Sequence, residues 1–216
     1  MEAIKRTSLF IAFEGIDGSG KSTQLRRLTE FLQRKGYKVH TTAEPTTRPI
    51  GRMIRDIFNH RMEADNRTIA GLFVADRLDH ILNKDDGMLR LLDEGYIVIT
   101  DRYYMSSYAY QGAHVPLEWV IGANSLASEL LRPDITIFID MPVGKALDRV
   151  RKGRNTLELF ETEDNIRQVS AMYEKVIKMI GSDENIVRIN GDRSEDEVAD
   201  EIETLVVAFL HDSLNS

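Results

Sequence analysis

Residues 15–22 form the chain's most chemically specific pattern, a glycine-rich loop that ends in lysine and serine. They spell GIDGSGKS, the G-x-x-x-x-G-K-S spacing of a phosphate-binding loop, or P-loop. Glycines let successive backbone N–H groups point into one concavity that accepts phosphate oxygens. Lys21 is expected to contact the β- and γ-phosphates of a nucleotide, and the Ser22 hydroxyl is expected to ligate Mg²⁺. The predicted nucleotide-binding residues are Gly15, Ile16, Asp17, Gly18, Ser19, Gly20, Lys21, Ser22 and Thr23.

The sequence on either side predicts the elements that must position this loop. Residues 9–13 are an apolar run of strand length, and Leu25, Leu28 and Leu32 recur at helical spacing within a predicted helix over 21–35. A strand, a glycine loop and a helix whose N-terminus faces the phosphates are the context that a P-loop requires. This agreement favours a P-loop over a glycine-rich turn that matches by chance.

Strand-length apolar runs alternate with helical patterns along the whole chain. This alternation predicts an α/β fold, a five-stranded parallel sheet flanked by helices, formed by residues 1–216 as a single domain. The predicted strands are 9–13, 37–41, 96–100, 135–139 and 186–189. The predicted helices are 21–35, 49–60, 67–83, 87–94, 116–130, 143–152, 163–181 and 195–213.

The composition narrows the class of protein. The 216 residues are 42% hydrophobic, carry a formal net charge of −7 and contain no cysteine. An acidic balance argues against a nucleic-acid or membrane partner, and disulfide or thiolate chemistry is excluded. The sequence has neither the apolar run of a transmembrane helix nor the pattern of a secretory signal, so a cytoplasmic enzyme is expected.

A second group of candidate residues follows the strand predicted at 96–100. Asp101 and Arg102 come at its carboxyl end, where ligands gather in open α/β sheets. Asp101 is therefore a candidate to hold Mg²⁺ directly or through water, and Arg102 is a candidate to bind an anionic substrate. The alternative is a surface ion pair after a strand.

Two helical patterns carry further candidates. Arg52 and Arg55 are three residues apart on one helical face, where two guanidinium groups suit a phosphate, although such arginines are more often solvated. Phe73 and Arg77 are four apart, so that one could stack on a base while the other contacts its edge. The alternative for that pair is a core phenylalanine with a surface arginine.

Basic residues cluster at 149–155, in a chain that is otherwise acidic. The cluster contains Arg149, Arg151 and Arg154. It predicts either a solvated helix end or a mobile loop that covers a phosphate.

Taken together, these motifs resemble the thymidylate kinase family, whose members phosphorylate dTMP with ATP. The resemblance covers nearly the whole chain and rests on residues 13–24, on Glu44 and Pro45, on Phe73 with Arg77, and on residues 101–103 and 106–112. It implies a P-loop nucleoside monophosphate kinase fold with a short lid at about 149–161, ATP with Mg²⁺ as the phosphoryl donor, and a homodimer.

The resemblance also implies roles for the residues of the acceptor site. Phe73 would stack on thymine, Arg77 would hydrogen-bond its edge, and Ser107 and Gln111 would border the base and sugar. Tyr110 would crowd the 2′ position, which disfavours a ribose hydroxyl.

The resemblance also implies which residues bind the phosphate of dTMP. The resemblance implies that Arg55 and Arg102 hold the dTMP phosphate and that Asp17 approaches the 3′-hydroxyl or metal-bound waters.

The family places its catalytic arginine either in the P-loop or in the lid. Because this P-loop has no arginine, the resemblance implies a catalytic role for Arg154, Arg149 or Arg151, with Arg154 preferred. The chain departs from many bacterial relatives here, since Glu158 and Leu159 stand where those carry Asp-Arg.

Two other functions remain open from the residues. A kinase for another deoxynucleotide or for a deoxynucleoside would share the P-loop, but paired arginines favour an anionic acceptor. A GTPase-type switch would use residues 83–86, which spell NKDD and match the guanine signature N-K-x-D. That segment is predicted at the end of a helix, whereas the signature belongs after a strand.

Overall fold

The computed structural model of the chain describes residues 8–153 and 162–215. Five strands form one parallel sheet in the order β2-β3-β1-β4-β5. The strands are β1 (Leu9–Glu14), β2 (Val39–Ala43), β3 (Ile97–Asp101), β4 (Ile135–Asp140) and β5 (Ile186–Asn190). The predicted α/β class and the five parallel strands are therefore confirmed.

Helices connect the strands and cover both faces of the sheet. They are α1 (Lys21–Arg34), α2 (Pro49–Phe58), α3 (Asn66–Leu82), α4 (Met88–Asp93), α5 (Tyr104–Tyr110), α6 (Leu117–Leu130), α7 (Val143–Gly153), α8 (Glu163–Ile180) and α9 (Glu195–Asn215). All eight predicted helices are present within two residues of the predicted ends. None of the helices in the described ranges has the length and apolar character needed to cross a bilayer.

The central strand β1 determines where the site forms. All six of its residues are buried, and it pairs with β3 on one side and β4 on the other. The chain order reverses at β1, and ligands of open α/β sheets bind at such a reversal, beyond the carboxyl ends of the strands. The P-loop leaves β1 at this point.

The second strand begins two residues later than predicted. Tyr37, expected in the strand, instead donates its backbone N–H to the Leu32 carbonyl at 3.1 Å and closes the end of α1. Pairing with β3 runs from Val39 opposite Ile97 to Ala43 opposite Asp101. Pairing with β3 therefore determines where β2 begins, and the apolar pattern of the sequence does not.

Helix α5 was not predicted. Each of its seven residues is buried, so it has no polar face from which a helical period could be recognised. Its N-cap residue, Tyr103, makes no side-chain cap. Residues that are far from α5 in the sequence supply the hydrogen bonds that its start requires.

Two local predictions are confirmed by the geometry. Ser194 and Glu197 form a reciprocal capping box at the start of α9, in which the Ser194 N–H donates to Glu197 Oε2 at 3.0 Å. Residues 83–86 lie in the turn between α3 and α4, as expected of a helix end. The interpretation of this N-K-x-D match as a helix end, and not as a guanine signature after a strand, is therefore confirmed.

Candidate active site

The P-loop adopts a backbone that only glycine accepts at key positions. Gly18 has φ of 78°, and a Cβ there would lie 2.2 Å from the Ala146 carbonyl oxygen on α7. Gly20 has φ of 103° and forms the N-cap of α1 without a side-chain cap. The N–H groups at the start of α1 therefore face the loop's concavity, where the helix dipole favours an anion.

Lys21 occupies the first turn of α1 and is buried, with 6% of its surface exposed. Its Nζ donates to the Ile16 carbonyl at 3.0 Å, which holds the ammonium group against the loop. Burial lowers the pKa of Lys21, and the nearby Arg102 acts in the same direction, while Asp101, Asp17 and Glu14 oppose the shift. An added phosphate would favour the charged form in the same way as these carboxylates.

Ser22 and Asp101 meet beside Lys21 in the manner expected of a metal site. The Ser22 hydroxyl donates to Asp101 Oδ2 at 2.6 Å, and within the described residues Asp101 Oδ1 is buried without a hydrogen-bond partner. A hydroxyl and a carboxylate are hard oxygen donors that Mg²⁺ prefers, usually together with substrate phosphates. The residues present therefore fit a magnesium–nucleotide complex.

Arg102 forms the centre of a hydrogen-bonded cluster with Asp17 and Tyr110. Its Nη2 donates to Asp17 Oδ1 and, at 2.9 Å, to the Tyr110 hydroxyl, which in turn donates to Asp17 Oδ2 at 2.9 Å. The guanidinium carbon lies 4.6 Å from the centre of the Tyr110 ring. Burial raises the pKa of Asp17, but Arg102 and Lys21 outweigh it, so the pKa of this carboxyl is below its usual value. Asp17 is therefore an anion at neutral pH.

A single cavity of about 630 Å³ joins these groups to the predicted acceptor residues. The P-loop lines it together with Arg55, Phe73, Arg77, Arg102, Ser107, Tyr110, Gln111 and Arg149. The structure thus brings most of the predicted site residues to one place. The volume of the cavity is in the range of sites that bind small molecules.

Phe73 and Arg77 both line the cavity, and Arg77 is not at the surface as the alternative for this pair supposes. Arg77 is 1% exposed, and its Nε and Nη2 donate to Glu44 Oε2 at 2.8 and 2.5 Å. It also donates to Asn124 and to Ser107, so that four of its five N–H groups have partners. The alternative of a surface arginine is therefore wrong, because Arg77 is buried and Glu44 balances its charge inside the protein.

The two arginines of α2 have different surroundings. Arg55 lines the cavity and donates to the backbone carbonyls of Pro45 and Thr46, which holds the loop after β2. Arg52 is exposed and lies outside the lining of the cavity. The predicted pair therefore does not converge, and Arg55 alone faces the site.

The helix α5 and the turn after it supply the remaining acceptor residues. Ser107 is buried and accepts a hydrogen bond from Arg77 Nη2 at 3.1 Å. Gln111 is 4% exposed, and within the described residues its Oε1 is buried without a hydrogen-bond partner. An amide oxygen of this kind on a cavity wall is available to a polar ligand.

The basic cluster at 149–155 divides between two surroundings. Arg149 lies on α7, lines the cavity, and has its Nη1 3.4 Å from the Ser19 carbonyl of the P-loop. Arg151 is exposed and its Nη2 lies 3.4 Å from Glu163 on α8. Arg154 and residues 155–161 of the predicted lid lie outside the described residues.

Sequence reasoning missed one wall of the cavity. Gly191, Arg193, Glu195 and Val198 line it where β5 leads into α9. Gln24 of α1 donates to the Glu195 carbonyl at 3.0 Å, which joins this wall to the P-loop helix. The position after the carboxyl end of β5 is a signal that could have identified it.

Comparison with known proteins agrees with the site. The family model described as thymidylate kinase matches residues 13–202, which include the P-loop and every cavity residue named above. The chain belongs to the thymidylate kinase family. The resemblance inferred from the motifs is thereby confirmed, and with it the P-loop nucleoside monophosphate kinase fold.

Individual relatives extend this family match across most of the chain. A probable thymidylate kinase of Caldivirga maquilingensis is 42% identical over 168 residues, which cover 76% of this chain and 78% of the relative. The thymidylate kinase of Thermosipho africanus is 37% identical over 207 residues, which cover 94% of this chain and 99% of the relative. That of Caldicellulosiruptor saccharolyticus is 35% identical over 205 residues, covering 93% and 97%.

Replacing Lys21 tests whether the P-loop of this thymidylate kinase family member carries the reaction. The Lys21→Ala variant removes the ammonium group that donates to the Ile16 carbonyl of the P-loop. We expect turnover at saturating ATP to fall about 100-fold or more, as for loss of one preorganised electrostatic group. A coupled assay for ADP formation measures it, with far-UV circular dichroism to verify the fold.

The exposed Lys175 on α8 provides a matched control. The Lys175→Ala variant should retain the parent's turnover. Near-normal turnover of Lys21→Ala would contradict the assignment.

Proposed function

We propose that this chain transfers the γ-phosphoryl group of ATP to the phosphate of dTMP, giving dTDP and ADP, in the cavity between the P-loop and α5. Family membership identifies an ATP-dependent kinase that acts on dTMP. The observation that carries the residue assignment is the single cavity, because it presents a phosphate-binding loop at one part of its wall and a buried aromatic and amide lining at another.

The donor end uses the P-loop and its neighbours. The backbone N–H groups of the loop and Lys21 bind the ATP phosphates, and Ser22 and Asp101 hold Mg²⁺. The metal, when bound, would neutralise negative charge on the phosphates. The wall at Gly191, Arg193 and Val198 is left for the rest of the nucleotide.

The acceptor end uses the residues that line the opposite wall. Phe73 stacks on the base, while Arg77, fixed by Glu44, directs its remaining N–H toward the base edge. Tyr110 crowds the 2′ carbon of the sugar, and Ser107 and Gln111 border the base. Arg102 and Arg55 bind the phosphate, and Asp17 contacts the sugar 3′-hydroxyl.

The chemistry requires alignment and charge neutralisation more than proton transfer. The acceptor phosphate is ionised at neutral pH, so no strong general base is needed. Holding donor and acceptor in line makes the reaction effectively unimolecular. Lys21 and Arg149 then stabilise charge on the transferring phosphoryl group.

An acceptor panel tests this function directly. ADP formation is measured with dTMP, dUMP, dCMP and thymidine at equal concentrations. We expect dTMP to give the highest kcat/KM and dUMP to retain some activity, since one methyl group is worth only about 1 kcal/mol. A higher kcat/KM for dCMP or for thymidine would contradict the proposal.

We propose Arg149 as the lid-side catalytic arginine, because its guanidinium lies at the P-loop. The Arg149→Ala variant should lower kcat by about 100- to 1000-fold and leave the KM for dTMP nearly unchanged. Arg149→Lys should recover only part of the loss, because an ammonium group cannot bridge two phosphate oxygens as a guanidinium can.

Arg151→Ala is the matched control, since Arg151 is exposed and faces Glu163. It should stay within a few-fold of the parent. The Arg154→Ala variant is measured in parallel. A large loss there with a normal Arg149→Ala would transfer the role to Arg154, and normal rates in all three would refute a catalytic arginine in the segment 149–161.

We further propose that the chain is a cytoplasmic homodimer that pairs through the faces of α3 and α6. Trp119, Leu126 and Leu130 lie on one face of α6 and are 48%, 51% and 37% exposed. The neighbouring α3 exposes Leu82 by 52%. Exposed apolar faces of this kind mark interaction surfaces, and the family resemblance favours a second copy as the partner.

Sedimentation equilibrium tests the dimer. The parent should sediment at twice the 24.6 kDa chain mass. The Trp119→Glu variant should shift toward the monomer, because a charge would be buried at the interface. Met179, equally exposed on α8, provides the control Met179→Glu, which should remain dimeric. A monomeric parent at micromolar concentration would contradict the proposal.

A further inference from the structure

Glu14, the last residue of β1, is fully buried immediately before the P-loop. Its carboxylate accepts four hydrogen bonds. Oε1 accepts from the backbone N–H groups of Tyr103 at 2.9 Å and Ser106 at 3.1 Å. Oε2 accepts from the Ser106 hydroxyl at 2.5 Å and the Tyr173 hydroxyl at 2.8 Å. Each carboxylate oxygen of Glu14 therefore accepts two hydrogen bonds from other residues of the protein.

Two of these bonds complete the start of α5. Tyr103 and Ser106 are its N-cap and third residues, and N–H groups in this first turn lack the carbonyl four residues earlier that a helix would supply. The Ser106 N–H is shared between Glu14 and the Tyr103 carbonyl, which lies at 3.0 Å. Glu14 thus performs from the central strand the capping that Tyr103 does not. Because α5 carries Ser107 and Tyr110, the carboxylate connects the wall of the acceptor site to the strand that carries the P-loop.

The other two hydrogen bonds of Glu14 come from the Ser106 and Tyr173 hydroxyls, which both lie close to Arg102. The Ser106 hydroxyl also accepts from Arg102 Nη1 at 3.1 Å, and the Tyr173 hydroxyl lies 3.4 Å from the same nitrogen. The two hydroxyls themselves are 2.9 Å apart. Glu14, Ser106, Tyr173 and Arg102 therefore form one connected network behind the guanidinium group that faces the cavity.

Four donors face the two oxygens of Glu14, which is the hydrogen-bonding pattern of a carboxylate. Burial raises the pKa of Glu14 above its ordinary value, and the Ser106 hydrogen bond, the positive charge of Arg102 and the Tyr173 hydrogen bond offset only part of that rise. A buried carboxylate with these donors and a nearby cation is costly to disturb, which makes the geometry around it well defined.

We propose that Glu14 is a positioning residue that fixes α5 and Arg102 relative to the P-loop, so that the acceptor phosphate is aligned with the ATP phosphates. This inference rests on the proposed function. It predicts that loss of the carboxylate misaligns the two substrates while leaving ATP binding intact, since the hydrogen bonds of Lys21 and Ser22 do not involve Glu14 and its charge influences Lys21 less than those of Asp101 and Asp17.

Steady-state kinetics of Glu14→Gln test the proposal. The amide keeps the size of the side chain but replaces one acceptor oxygen by a donor where two hydroxyls donated. We expect kcat with dTMP to fall about 10- to 100-fold, as for a small misplacement of reacting groups. The KM for dTMP should rise, and the KM for ATP should stay within about threefold of the parent.

Tyr173→Phe provides a second, milder variant. It removes one of the four donors, keeps the ring whose centre lies 5.2 Å from that of Phe138, and changes a residue that does not itself line the cavity. It should lower kcat in the same direction by a smaller factor, with the KM for ATP unchanged. The double variant should be less than additive, because both changes act on one network.

Asp134→Asn is the matched structural control. Asp134 accepts from the backbone N–H of Phe10 at 2.6 Å, at the opposite end of β1 and away from the cavity. It should lower the melting temperature without changing kcat or either KM.

The possible outcomes separate the two claims. A parent enzyme that does not phosphorylate dTMP would refute the proposed function itself. An active parent with Glu14→Gln and Tyr173→Phe kinetics like those of Asp134→Asn would overturn the positioning role. If Glu14→Gln does not fold, Tyr173→Phe decides the question, and an unchanged kcat in that variant overturns the positioning role of Glu14.

Discussion

The ion pair between Arg102 and Asp17 joins the two halves of the site. Arg102 follows β3, and Asp17 belongs to the P-loop after β1, so the pair bridges adjacent strands at their carboxyl ends. Arg102 has a backbone φ of 73°, a left-handed conformation that costs an L-residue roughly 1–3 kcal/mol. Its N–H donates to the Phe13 carbonyl at 2.9 Å and its carbonyl accepts from Thr100 Oγ1 at 2.9 Å, which holds the residue in place. The surroundings thus impose a conformation that aims the guanidinium at the cavity.

This arrangement makes the site electrostatically ready before any nucleotide enters. Lys21, Arg102 and Arg149 line one cavity, and the carboxylates of Asp17 and Asp101 lie among them. Charges that are already oriented cost little reorganisation when a transition state forms. A kinase that moves a highly charged group between two anions depends on such preorganisation more than on acid–base groups.

Local patterns predicted the positions that depend on local structure. The P-loop, the capping box at Ser194 and the five strands follow from spacing and apolar periodicity. The cap of α5 depends on Glu14, 89 residues before Tyr103 in the chain, and the burial of Arg77 depends on Glu44, 33 residues away. No local pattern contains such a pairing.

The basic cluster illustrates the same limit within a single helix. Arg149 and Arg151 are two positions apart, so they point in different directions, but the sequence alone does not decide which one faces the P-loop. Packing of α7 against Gly18 decides it, because the Ala146 carbonyl lies against that glycine. The contact depends on the tertiary fold.

The most direct test of this account is a crystal structure with dTMP, Mg²⁺ and an ATP analogue that cannot transfer its phosphoryl group. We expect the dTMP phosphate to contact the guanidinium groups of Arg102 and Arg55, with thymine against Phe73 and the analogue's phosphates on the P-loop. A dTMP phosphate bound away from Arg102, with that residue still paired only within the protein, would contradict it.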